Sequence, residues 1–177
     1  ENISYMLQYS LKCTKQDTTF QEELRMVQAY LFLQERRFGD RIHFQLSVPE
    51  DLPQIMIPGM SVQPVVENAI YHGIKPMEEK GYIYIHIFPQ EGDVILQVQD
   101  TGMGMDEDTC RRLNRELDTI SSDQQGTGYG VRNVNDKVKI VYGSRYGVTI
   151  ESAMGEGTVV TLRIGKKGET SDESDYL

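Results

Sequence analysis

An acid, an amide and an imidazole interrupt an otherwise apolar helix predicted in the segment VVENAIYHG: Glu67, Asn68 and His72. Asn68 and His72 are four residues apart, so they share one face of that helix. Carboxylate and amide oxygens suit Mg²⁺, whereas an adjacent Glu and Asn are a poor choice for helix propensity alone. A solvated helix face explains the same residues, and taken alone the segment favours that interpretation.

The segment DTGMGM places a carboxylate at the end of a predicted strand. Asp100 has the same parity as Val94 and Val98, so its side chain points toward the apolar side of that strand. A buried carboxylate that lacks a hydrogen-bond donor costs ~1–3 kcal/mol. Gly102 and Gly104 allow another group to approach the backbone closely. A ligand site and a tight turn with an Asp cap are about equally supported by this segment.

Two glycine-rich segments follow. GTGYG, from Gly126 to Gly130, leads directly into a predicted helix, where free N–H groups and the helix dipole favour an anion. It matches neither the strand-GxGxxG-helix pattern of dinucleotide binders nor a P-loop. GEGT, from Gly155 to Thr158, lies in the last predicted hairpin. Taken alone, the first segment is a flexible linker and the second is a hairpin turn.

Hydrophobic spacing predicts the elements that must position these segments. Thr19 and Glu22 form a capping box for a helix that ends at Gly39, and an earlier helix makes a hairpin with it. Strands are predicted at 41–48, 82–88, 93–100, 148–152 and 158–164. Further helices are predicted at 59–75, around the residues Cys110, Leu113, Leu117 and Ile120, and from 131 to 143. Paired strands indicate an α+β fold, an α/β sandwich with a mixed, mostly antiparallel sheet and helices on one face.

Composition limits the class of protein. The 177 residues are 38% hydrophobic and 25% charged, which is ordinary for one sizeable folded domain. The net charge of −9 argues against nucleic acid as a partner. Cys13 and Cys110 form neither a metal-ligand pattern nor a disulfide framework. No signal peptide or membrane span is apparent, and because the chain begins at Glu1 without Met we expect it to be part of a longer protein.

In their order, QPVVENAIYHG, DTGMGM, GTGYGVRNV and GEGT resemble the N, G1, G2 and G3 boxes of the ATPase superfamily shared by gyrase, Hsp90, MutL and the histidine kinases. With ERRFGDRI before them and YGSRYGVTIES within the series, they most resemble the YesM/LytS-like sensor histidine kinases. The resemblance spans roughly Phe20 to Ile164 and implies the Bergerat α/β sandwich. It implies two regions: 1–38, the helical end of the dimerisation and phosphotransfer region, and 39–165, the ATP-binding catalytic domain. The polar, acidic composition of 166–177 predicts a disordered tail.

The resemblance also implies a role for each motif residue. Asn68 is the implied Mg²⁺ ligand, and Asp100 is the implied acceptor of the adenine amino group. Glu67 is an implied catalytic residue that orients Asn68, influences the metal or pairs with a neighbour. The other residues implied to contact ATP are Gly102, Gly104, the lid glycines Gly126, Gly128 and Gly130, and Thr158. His72 is predicted to lie next to the nucleotide by its spacing alone.

Two positions depart from the family pattern. Many relatives carry Lys where this chain has Tyr71, which leaves His72, Lys75 or Arg132 to supply a cation for the phosphates. Hydrolytic relatives carry Glu where this chain has Pro64, so the base that activates water is missing. We therefore expect a protein histidine kinase domain that transfers the γ-phosphoryl group of Mg²⁺–ATP to a histidine on an upstream helix, outside this chain, and then to a response-regulator receiver domain.

The resemblance further implies a homodimer formed through upstream helices, and a cytoplasmic location in a membrane-anchored bacterial sensor. Two alternatives stay open at this point. One is an ATP-hydrolysing conformational clamp, against which Pro64 argues. The other is a non-catalytic nucleotide-binding module that mainly dimerises, against which Asn68, Asp100 and the four intact glycine segments argue.

Overall fold

The computed structural model describes residues 17–52, 55–120 and 130–165. The elements in chain order are β1 (Asp17–Thr19), α1 (Phe20–Phe38), β2 (Ile42–Ser47), β3 (Met56–Pro58), α2 (Gln63–Asn68), β4 (Gly81–Gln90), β5 (Asp93–Asp100), α3 (Glu107–Asp118), α4 (Gly130–Tyr142), β6 (Gly147–Ala153) and β7 (Gly157–Ile164). A 3₁₀ turn at Gly39–Arg41 follows α1, and a π-helical segment, Ala69–Ile74, continues α2.

The main sheet has five strands in the order β2-β4-β5-β7-β6. Only the β2–β4 pair is parallel, and the other three pairs are antiparallel. This confirms the predicted mixed, mostly antiparallel sheet. A separate antiparallel pair joins β1 to β3. That pair was not predicted, because three-residue strands beside prolines carry too few residues for a periodic pattern.

Alternation along the strands separates a buried face from a more exposed one. On β4, Ile83, Ile85 and Ile87 are buried, whereas Tyr82 and Phe88 are exposed. The buried residues join apolar side chains of α1, α2 and α4 in one cluster. The helices therefore cover one face of the sheet, as the strand pairing predicted.

The helix α1 begins and ends as its sequence predicts. The Thr19 hydroxyl accepts the Glu22 N–H at 3.2 Å, and the Glu22 carboxylate accepts the Thr19 N–H at 3.3 Å, which completes the capping box. Gly39, with φ of +57°, caps the other end. Buried residues of α1 belong to the main core, so this helix packs against the sheet layer. The domain boundary at residues 38 and 39 stays a prediction.

Several sequence predictions need correction or cannot be compared. The helix predicted over 59–75 begins only at Gln63. Val48 and Ile120, assigned to the apolar faces of a strand and a helix, lie beyond the ends of β2 and α3 and are exposed. The first helix of the predicted hairpin and the acidic tail fall outside the described residues. Among the described helices, none is long and apolar enough to cross a bilayer.

Candidate functional site

The carboxyl group of Asp100 is buried at the end of β5, with a residue exposure of 2%. The backbone N–H of Gly102 donates a hydrogen bond to Asp100 Oδ1 at 2.8 Å. Burial raises the pKa of Asp100 to about 6, and the backbone N–H groups of Gly102 and Thr158 act in the opposite direction. The side chain thus lies on the apolar side of β5, where a donor from a ligand would offset its loss of hydration.

Two glycines leave the space around this carboxyl group. A Cβ atom added to Gly73 would lie 2.5 Å from Asp100 Oδ1, and one added to Gly102 would lie at the same distance. The Met103 N–H donates to the Gly73 carbonyl at 3.2 Å, which ties the loop after β5 to the end of the π-helical segment. Gly73 ends the motif VVENAIYHG, but sequence spacing alone gave it no separate role.

Gly104 lies where another chain segment approaches the same loop. Its φ is +63°, and an added Cβ would overlap the carbonyl oxygen of Ala153. The Gly155 N–H also donates to the Met103 carbonyl at 2.7 Å. The loop after β5 is therefore fixed on one side by the helix layer and on the other by the β6–β7 turn.

Thr158 is buried on β7, directly opposite Asp100 in the register of the two strands. The hydroxyl of Ser152 donates to the Gly157 carbonyl at 2.8 Å and lies 2.9 Å from the Thr158 hydroxyl. Because a hydroxyl group has one hydrogen, the Thr158 hydroxyl donates to Ser152. Ser152 also accepts the Met105 N–H at 3.0 Å. Ser152 thus fixes Thr158, a role that the sequence analysis did not predict.

Glu67 and Asn68 differ in how far their side chains are already engaged. Glu67 accepts a hydrogen bond from Gln63 Nε2 at 2.8 Å, one turn earlier on α2. Asn68 is partly exposed, and its side chain makes no hydrogen bond with another described residue. The pairing of Glu67 with a neighbour was one of the alternatives that the sequence left open.

The described residues include no cluster of three His, Cys, Asp or Glu side chains that could hold a metal ion. One amide oxygen, with one carboxylate beside it, is a poor site for Mg²⁺ alone. Mg²⁺ commonly takes one or two protein ligands and completes its shell with waters and substrate phosphates. Asn68 therefore fits a metal ion that arrives with a nucleotide.

Tyr71, at the position where the resemblance led us to expect Lys, lies between two cations. Arg37 Nη1, from α1, donates to the Tyr71 hydroxyl at 3.3 Å, and Lys75 Nζ lies 4.9 Å from the centre of the Tyr71 ring. Of the other predicted substitutes, Arg132 pairs with a carboxylate of α3 at 3.7 Å, and His72 is exposed. Arg37 was missed because contacts between separate helices leave no spacing signal.

The glycine-rich segment is described only at its end. Gly126 and Gly128 lie outside the described residues, so their predicted phosphate contacts stay predictions. Gly130 begins α4, and a Cβ atom added there would lie 3.2 Å from Pro64 Cβ on α2. The N-terminus of α4 therefore lies beside the helix that carries Asn68.

A mixed five-stranded sheet, helices on one face and a buried carboxylate at a strand end define a sandwich of the Bergerat type. The family described as "Histidine kinase-, DNA gyrase B-, and HSP90-like ATPase" matches residues 59–168, and the chain belongs to this family. The family described as "Histidine kinase" matches residues 1–42. The second match ends at Ile42, the first residue of β2, so it includes all of α1.

The curated relatives that match this chain include proteins named as sensors. The chain is 31% identical over 147 residues to the sensor protein LytS of Bacillus cereus, covering 83% of this chain and 24% of that protein. It is 30% identical to the sensor histidine kinase YesM of Bacillus subtilis, covering 96% of this chain and 27% of that protein. The chain thus spans about a quarter of the length of these relatives.

The fold is also found in a solved structure of histidine kinase ThkA in complex with the response regulator protein TrrA. The TM-score is 0.60 at 18% sequence identity, covering 96% of this chain and 48% of that chain. At this identity the likeness supports the fold class. It confirms the sandwich that strand pairing and the four motifs predicted.

Proposed function

We propose that this chain is the ATP-binding catalytic domain of a two-component sensor histidine kinase. The observation that supports this most directly is the buried Asp100 carboxyl group, which has Gly73 and Gly102 against it in place of larger side chains. In this proposal Asp100 accepts a hydrogen bond from the adenine amino group. Gly104 and Thr158 maintain the loop and the strand on either side of that contact.

The phosphate end of the nucleotide lies along α2. Asn68 would hold Mg²⁺, which neutralises phosphate charge when it is bound, and Glu67 is kept beside it by Gln63. Lys75 and Arg37 supply positive charge next to Tyr71, where the family pattern has a lysine. His72 lies between these groups in sequence, and Gly126, Gly128 and Gly130 would complete the phosphate contacts. Positioning and charge neutralisation are the main contributions to phosphoryl transfer.

The acceptor in this proposal is a histidine on an upstream helix of the full-length protein, and the phosphoryl group then passes to a response regulator. Pro64 stands where a hydrolytic enzyme needs a carboxylate, so α2 offers no base to activate water at that position. We further propose that the full-length protein is a homodimer anchored at a bacterial membrane, with this domain in the cytoplasm. The net charge of −9 gives no support to nucleic acid as a partner.

Phosphoryl transfer can be tested with labelled Mg²⁺–ATP and a separate fragment that carries the upstream helices. We expect acid-labile label on that fragment and none on this chain. His43 and His86 lie on β2 and β4 and stack with Tyr82 and Tyr84, so neither can swing to a phosphate. His72 lies on the nucleotide-binding helix itself and cannot approach the γ-phosphate from outside. Stoichiometric label on His43, His72 or His86, or rapid ATP hydrolysis without an acceptor, would contradict the proposal.

A further inference from the structure

A buried carboxylate from α1 caps the start of α2. Glu23 has a residue exposure of 1%. Its Oε1 accepts the Met60 N–H at 2.7 Å, and its Oε2 accepts the Ser61 N–H at 3.0 Å and the Val62 N–H at 2.8 Å. These three consecutive N–H groups come immediately before the first residue of α2.

The chemistry of a helix start explains why a carboxylate is suited to this position. The N–H groups at the start of a helix have no partner within the helix, and the helix dipole favours negative charge there. The residue at the N-cap position is Val62, whose side chain cannot accept a hydrogen bond. Glu23, although 37 to 39 residues away, accepts the N–H of the N-cap residue and of the two residues before it, whereas a Ser or Asp at the N-cap would accept an N–H within the first turn.

The two helices touch again further along. Burial raises the pKa of the Tyr30 hydroxyl on α1, and the nearby charge of Glu67 on α2 raises it further. Arg37, two turns later on α1, donates to the hydroxyl of Tyr71. The helix α1 therefore packs alongside α2, from the start of α2 to the residues that follow Asn68.

We propose that Glu23 is a positioning residue of the nucleotide site. By holding the start of α2 against α1, it sets where Glu67 and Asn68 stand relative to the sheet that carries Asp100. It also joins α1, which lies in the region matched by the "Histidine kinase" family, to the ATPase region. This inference rests on the proposed function, because its consequence is measured as nucleotide binding.

The replacement Glu23→Gln tests the inference. An amide presents one oxygen and one NH₂ group, so at least one of the three backbone N–H groups faces a donor instead of an acceptor. We expect the affinity for Mg²⁺–ATP to fall about tenfold, the loss typical of one charge-assisted hydrogen bond. The affinity for adenosine should change less than about twofold, because the contact between the Asp100 loop and Gly73 lies at the opposite end of this helical segment from Glu23.

Two control variants separate positioning from general loss of stability. Glu22→Gln removes a neighbouring carboxylate but keeps the capping box, since Gln also serves at that position. Val27→Ala removes buried apolar volume from α1 without touching the cap. Both controls should keep the wild-type ratio of Mg²⁺–ATP affinity to adenosine affinity, measured by calorimetry at a temperature where circular dichroism shows folded protein.

Amide hydrogen exchange supplies a readout that does not require nucleotide. In Glu23→Gln, exchange across residues 60–68 should accelerate about tenfold or more relative to Val27→Ala. Unchanged exchange across residues 60–68, or equal losses of affinity for Mg²⁺–ATP and for adenosine, would overturn the inference. The proposed function would still stand in that case, provided that the wild-type chain binds both ligands. Failure of the wild-type chain to bind either ligand would instead overturn the proposed function and this inference with it.

Discussion

The replacement Asp100→Asn removes a charge from the buried end of β5 and nearly preserves the side-chain volume. In the wild type, burial raises the pKa of Asp100 from 3.8 to about 6, so the folded state binds this proton more tightly than the unfolded state does. Wild-type stability therefore falls as pH rises from about 4 to 6, and stays lower above that range. Asparagine does not titrate, so the variant lacks this contribution.

The size of the effect follows from the pKa. A rise of the Asp100 pKa from 3.8 to about 6 lowers the unfolding free energy of the wild type at pH 8 by about 3 kcal/mol. Asparagine can accept the Gly102 N–H through its one oxygen, but its NH₂ group is no acceptor for the Thr158 N–H. The loss of that acceptor costs about 1 kcal/mol. We expect the variant to be more stable than the wild type by about 2 kcal/mol at pH 8, or about 4–8 °C in Tm. At pH 3.5 it should be less stable by about 1 kcal/mol.

Urea unfolding of both proteins between pH 3.5 and pH 8 measures this difference, and the same samples should show weaker ATP binding by the variant. Asp106→Asn is a control of opposite sign, because the Thr109 N–H that Asp106 accepts lowers the pKa of this exposed carboxyl group. Its contribution in the wild type is present at neutral pH and is lost as pH falls. A stability difference between Asp100→Asn and the wild type that does not vary with pH would refute the reasoning about burial.

The remaining predictions concern the metal, a loop glycine and a buried amide. Asn68→Ala should abolish the Mg²⁺ dependence of nucleotide binding in calorimetry, and a dependence equal to that of the wild type would place the metal ligand elsewhere. Gly104→Ala should cost at least ~2 kcal/mol more in urea unfolding than Gly92→Ala, because both have positive φ but only Gly104 lies against other backbone; equal costs would contradict this. Asn135→Ala should cost about 2–4 kcal/mol by the same assay, because Asn135 is fully buried and bonds to the backbone of α3 and β6; a neutral result would contradict the bonds described.

Local rules account for the parts of the fold that the sequence predicted well. The strand 93–100 was predicted with its observed bounds, because its apolar residues are followed by Asp100 and preceded by a turn. That turn uses Glu91 and Gly92, both with positive φ, as two-residue hairpins require. The capping box of Thr19 and Glu22 likewise depends on four consecutive residues. The parity of Asp100 along β5 predicted its burial for the same local reason.

Contacts between elements distant in sequence account for what could not be predicted. In the sequence, Glu23 is only one polar residue of an amphipathic helix. The packing of α1 against α2 brings its carboxylate to three backbone N–H groups. Ser152 acquires its role from the β6–β7 pairing, and Arg37 from the place where α1 ends. A spacing rule applied within one segment cannot predict contacts between segments that are distant in sequence. The candidate site was therefore predicted as a set of motifs but not as a set of supporting contacts.

Calorimetric titration of the wild-type chain with ATP and with GTP, both with Mg²⁺, tests the central claim most directly. Adenine presents an amino donor to Asp100, whereas guanine presents a carbonyl oxygen at the corresponding position. We predict that ATP binds about 10- to 150-fold more tightly than GTP, the ratio expected for one charged hydrogen bond, and that Asp100→Ala weakens ATP binding at least as much while the chain stays folded. Equal wild-type affinities for ATP and GTP would contradict the assignment of Asp100 as the residue that binds adenine.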